Sequence, residues 1–63
     1  MTDTEIMALY EQGASLDHIA AQIVVREANA EAPPKKKQAI ERAQYVIYEA
    51  LVERRQRHAG QEP

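Results

Sequence analysis

Three features of this sequence predict an all-α domain of three helices with a long C-terminal helix. Apolar residues recur at i, i+3, i+4 in three separate segments, the repeat that places them on one face of a helix. Gly13 and the Pro33-Pro34 pair interrupt that repeat at points where a helix must stop. No segment alternates apolar and polar residues as a half-buried strand would. Tyr45-Val46-Ile47-Tyr48 holds strand-favouring residues, but inside a sustained helical period.

The first helix is expected over residues 4–12. Thr2, Asp3 and Thr4 are all suitable N-caps, and Asp3 and Glu5 suit the positive end of the helix dipole. Ile6, Leu9 and Tyr10 share a face. Gly13 ends the helix by accepting the left-handed conformation that closes many helices.

A second helix is expected over 15–29. Ser15 is its N-cap, Asp17 lies in its first turn, and Leu16, Ile19, Ala20 and Ile23 form its apolar stripe. Its end is poorly marked in Ala28-Asn29-Ala30-Glu31-Ala32. Pro33 then forces Ala32 out of the helical region.

The third helix is expected over 34–58, with Pro34 in its first turn, where a missing N–H costs nothing. Lys, Gln, Ala, Glu, Arg and Leu, all good helix formers, dominate it. Ala59-Gly60 is the expected stop, and residues 60–63 the expected loose tail. At 100° per residue, Ala39, Ile40, Ala43, Val46, Ile47, Ala50 and Leu51 fall within roughly 140° of one another, a core-facing arc. Tyr45, Tyr48 and Val52 fall on a different side, which two short helices cannot also cover. Those residues are either half-exposed, each ring on the surface with its hydroxyl in water, or a surface for a partner. A homodimer would use the stripe to supply core that a chain of 63 residues lacks.

Composition narrows the function classes. A 63-residue chain forms a single domain with little room for the roughly 300–1,000 Å³ pocket of a typical small-molecule site. There is no cysteine and there are two histidines, so neither a disulfide framework nor a zinc site of the usual Cys/His kind is expected. No apolar run approaches the ~20 residues of a membrane span, and the polar, acidic N-terminus is unlike a signal peptide. A cytoplasmic protein without metal, cofactor or small-molecule substrate is the expectation. Asp17-His18 is not a catalytic pair, because neighbouring helical residues point about 100° apart. His58 sits where a helix dipole favours a cation. No phosphate loop, nucleophile elbow or His-Glu-x-x-His appears, so no enzyme is expected.

The net charge of −2 conceals a division. Residues 1–32 carry six carboxylates against Arg26, a net of −5; residues 33–63 carry seven lysines and arginines against four glutamates, a net of +3. An acidic body with a basic contact surface is one reading, and two solvated helix faces the other.

Residues 5–23 resemble the first two helices of a helix-turn-helix domain of the resolvase and transposase kind. Ile6 and Leu9, then Gly13, Ser15, Ile19-Ala20 and Ile23 carry the likeness, over about a third of the chain. Gly13 permits the reversal, Ser15 caps, and Ala20 is small enough for the helices to approach. After Ile23 the pattern departs, since Val24-Val25-Arg26-Glu27 prolongs the helix and the next begins some ten residues later.

The resemblance implies a small, dimeric DNA-binding transcriptional regulator of bacterial or phage type, with the third helix in the recognition position. Its first turns would then bring Lys35, Lys36, Lys37, Gln38 and Arg42 to double-stranded DNA, lysines on phosphates, Gln38 and Arg42 on base edges. Arg54, Arg55 and Arg57 lie about 28 Å further along, too far for the same base pairs. The negative total charge opposes this reading. The alternative is a protein-binding regulator or inhibitor on the same scaffold, acting on RNA polymerase, a transcription factor or a defence nuclease. Tyr45, Tyr48, Val52, Arg54 and Arg55 would form its partner surface.

Overall fold

In the computed structural model, α1 spans Asp3–Glu11, α2 spans Leu16–Arg26 and α3 spans Lys36–Gln61. The structure describes the backbone of residues 1–61 and the side chains of residues 1–57. The expected all-α fold with a long last helix is present.

Each helix start is fixed by a side chain. Thr2 caps α1: its hydroxyl accepts from the Glu5 amide at 3.2 Å, and the Glu5 carboxylate accepts from the Thr2 amide at 3.0 Å. That reciprocal box satisfies two donors that the first turn leaves open. Ser15 caps α2, its Oγ accepting from the His18 amide at 3.1 Å. At α3 the Lys35 amide donates to Gln38 Oε1 at 3.0 Å, half of the same device, since a lysine side chain has no acceptor to return.

The turn between α1 and α2 is closed by Gly13 at φ 91°. The Gly13 amide donates to the Tyr10 carbonyl and the Ala14 amide to the Leu9 carbonyl, each at 3.0 Å. These two bonds make a Schellman motif, in which the residue after the cap must be left-handed. Leu9 and Ala14 both pack against the core.

Helix boundaries differ from expectation by one to several residues. α1 begins and ends one residue early. α2 closes at Arg26, short of residue 29, because Ala28, Asn29 and Ala30 are exposed and bury nothing by remaining helical. Pro34 stands two positions before α3 rather than within it. At the far end α3 passes through Ala59 and Gly60 to Gln61, so the expected stop is not used. Glu62, Pro63 and the side chain of His58 lie outside the described residues.

The core consists of Ile6 from α1, Ile19, Ala20 and Ile23 from α2, and Ala39, Ala43, Val46 and Ile47 from α3. Ile6, Ile19 and Ile23 have no exposed surface. Burial of each contributes about 1.5–3 kcal/mol. Alanines at 20, 39 and 43 let the helix backbones approach around these isoleucines.

Tyr10, Leu16 and Leu51, which the periodicity assigns to the core faces, instead remain at the surface. They meet Gln44, Ile47 and Tyr48 around a shallow hollow of about 250 Å³ where the three helices diverge. The reason is length. α3 is about 39 Å long and α1 and α2 are each under about 17 Å, so the short helices cannot cover it end to end. The molecule is correspondingly elongated, 49 × 23 × 16 Å.

Candidate functional site: the basic helix start and the cleft between α1 and α3

Charged side chains determine what the surface of α3 offers. Arg42 projects from its second turn toward the end of α2 and the N-terminus. Its Nη1 donates to Glu27 Oε2 at 2.7 Å, and its Nη2 donates to the Met1 carbonyl. The same Glu27 oxygen accepts from the Met1 ammonium at 2.9 Å. Glu27, the C-cap of α2, thus gathers the N-terminus and α3 onto the end of α2. Its carboxyl is held below the usual carboxylate range by the hydrogen bond from the Met1 ammonium and then by Arg42.

The residues expected at a DNA surface are therefore differently placed. Arg42 is half-buried and engaged in this junction. Gln38 caps α3 through its amide oxygen. Lys36 pairs with Asp17 at 2.7 Å, an open contact with both side chains more than half exposed. Lys35 and Lys37 are exposed and form no ion pair among the described residues. Lys35 precedes α3, and Lys36 and Lys37 leave its first turn about 100° apart.

The residues expected at a partner surface also divide. Tyr45 and Tyr48 are each 66% exposed, and Val52 is half-buried. Tyr45 borders a cleft between α1 and α3, whereas Tyr48, about 60° round the helix, borders the hollow lined also by Tyr10 and Leu16. Arg54 reaches across to α1 and pairs with Glu11, whose carboxylate holds the guanidinium more firmly protonated than usual. Arg57 pairs with Glu53 along α3. Arg55 is exposed and outside the ion pairs among the described residues.

Sequence periodicity does not reveal the cleft itself. α1 runs alongside α3 in the same direction, since Met1 meets Arg42 and Glu11 meets Arg54. Between them opens a cleft of about 460 Å³. Met7, Ala8, Val46 and Ala50 supply its apolar wall, and Tyr45 one margin. Asp3, Glu11, Glu49 and Glu53 supply carboxylates, with Arg54 at the end where it crosses to Glu11. The signal in the sequence is a pair of small residues, Ala8 and Ala50, on facing helices: their missing side chains make the space.

Among the described residues no group of three or more His, Asp or Glu side chains is placed to hold a metal, and no helix is long and apolar enough to cross a membrane. No protein-family model, curated protein or solved structure matches this chain.

Proposed function

We propose that the protein is a small protein-binding regulator whose α1–α3 cleft receives an amphipathic helical segment of a partner. The observation that carries this reading is the composition of the cleft: an apolar wall of Met7, Ala8, Val46 and Ala50 bordered by Asp3, Glu11, Glu49 and Glu53. A helix docks in a groove through apolar anchors at i, i+3, i+4 and i+7, and flanking charges choose the partner. The complementary segment has an apolar stripe flanked by lysine or arginine. Two of the four carboxylates already have arginine partners, so the attraction is directional rather than strong.

A titration with two labelled synthetic helices of equal length tests it, one built from Leu and Lys, the other from Leu and Glu. Fluorescence anisotropy should detect binding of the basic helix alone, and Ala8→Trp should abolish it by filling the cleft. Ala8 is exposed, so that variant keeps its fold. Equal affinity for both helices, or full binding by Ala8→Trp, contradicts the proposal.

The second reading is a DNA-binding helix-turn-helix regulator. The observations favouring it are the exposed Lys35 and Lys37 at the start of α3 and the Gly13 turn that the resemblance led us to expect. It ranks behind because Gln38 and Arg42, the base-reading types, already hold intramolecular partners. Duplex affinity that falls steeply with salt and is lost on replacing Lys35, Lys36 and Lys37 by Ala would favour this reading instead.

A further inference from the structure

We infer that a second copy of this chain covers the outward stripe of α3, the two helices lying antiparallel and crossing at Tyr48. Tyr45 and Tyr48 are two-thirds exposed and Leu51 is 42% exposed. These residues belong to one series, Glu41, Tyr45, Tyr48, Leu51 and Arg55, spaced 4, 3, 3 and 4 residues apart, which falls within about 120° on one side of a helix. The series points away from Ala39, Ala43 and Val46, so its use leaves the three-helix core intact.

Charge selects the occupant and its direction. When two copies cross antiparallel at Tyr48, position 41 of one helix meets position 55 of the other, and 45 meets 51. Glu41 then faces Arg55 of the second copy, and the twofold axis makes that pair twice. Both side chains are exposed, and neither belongs to an ion pair among the described residues. At the centre Tyr48 meets its own copy, with Tyr45 against Leu51 on either side. A parallel pairing would instead set Glu41 against Glu41 and Arg55 against Arg55, repelling at both ends. The overlap from Glu41 to Arg55 is about 21 Å long. The nearby hollow bordered by Tyr10 and Leu16 gives the copy's aromatic rings further apolar surface.

The stripe shares Tyr45 with the margin of the cleft, but the test positions Glu41, Tyr48 and Arg55 lie outside the cleft lining, so failure of one proposal is distinguishable from failure of the other. Sedimentation equilibrium at low salt, with circular dichroism to verify helix content, tests it. The wild-type chain should dimerise. Glu41→Arg, which places arginine opposite arginine twice, should weaken the dimer at least about tenfold, and adding Arg55→Glu should restore it. Tyr48→Glu should give a folded monomer. A wild-type chain that stays monomeric at a few hundred micromolar overturns the inference. So does a dimer unaffected by Glu41→Arg, or one that the second charge reversal fails to restore.

Discussion

Arg42 on α3 and Glu27 at the end of α2 form an ion pair at 2.7 Å that also holds the N-terminus, through the Met1 carbonyl and ammonium. A guanidinium has separate donors for the two acceptors, a carboxylate and a backbone carbonyl. Arg42→Ala should therefore lower the melting temperature. Arg42→Lys should recover only part of the loss, because an ammonium is a compact charge without the planar fork. Thermal unfolding followed by circular dichroism checks both; an unchanged melting temperature in Arg42→Ala would show that the junction contributes nothing.

Acid should destabilise the fold through Glu27 and Glu5. Glu27 is held low by the Met1 ammonium and Arg42, and Glu5 by hydrogen bonds from Thr2. A carboxyl whose folded-state pKa is depressed adds stability above its unfolded value, near 4.3 for glutamate, and that contribution disappears as pH falls through the folded-state value. Urea unfolding midpoints should be level from about pH 7 to pH 5 as far as these two groups decide, then fall. Glu27→Gln should begin from a lower midpoint at neutral pH and decline less steeply in acid.

Gly13→Ala should cost about 1–2 kcal/mol, the penalty for an L-residue in the left-handed region. Nothing lies within 4 Å of the added methyl group, so the loss is conformational and not steric. Gly13→Asn should lose less, because asparagine tolerates that region better. Chemical denaturation of both variants gives the comparison.

Ile19→Ala should cost about 2–5 kcal/mol, the range for emptying a packed aliphatic site. Ile19 has no exposed surface and the core contains only seven other buried residues among those described, so little remains to close the cavity. This variant should be largely unfolded or melt far below the wild type. Val25→Ala, at a 70% exposed position, should melt near the wild type.

What the sequence made legible follows local chemistry. Ser15 announced the start of α2 and Gly13 the turn before it because each does its work within four residues. Ile6, Ile19, Ala20 and Ile23 were readable from helical spacing, as were Ala39, Ala43, Val46 and Ile47. Spacing alone did not show that Tyr10, Leu16 and Leu51 would stay at the surface, since that depends on where a short helix stops along a long one. The partners of Arg42 were likewise hidden: Glu27 is fifteen residues away and Met1 forty-one. A residue type suited to reading guanine is equally suited to clamping a carboxylate, and only the fold chooses. The cleft was invisible for a related reason, because Ala8 and Ala50 become a space only when their helices lie side by side.

The most direct measurement of the docking proposal is methyl and amide chemical-shift mapping of the labelled chain at low salt. The basic Leu/Lys helix and a duplex DNA would be titrated separately. The proposal predicts that the peptide shifts Met7, Ala8, Val46 and Ala50 in a saturable way, with duplex leaving them unmoved. Shifts confined to the amides of Lys35, Lys36 and Lys37 on adding duplex, with no response of the cleft methyls to the peptide, would contradict it.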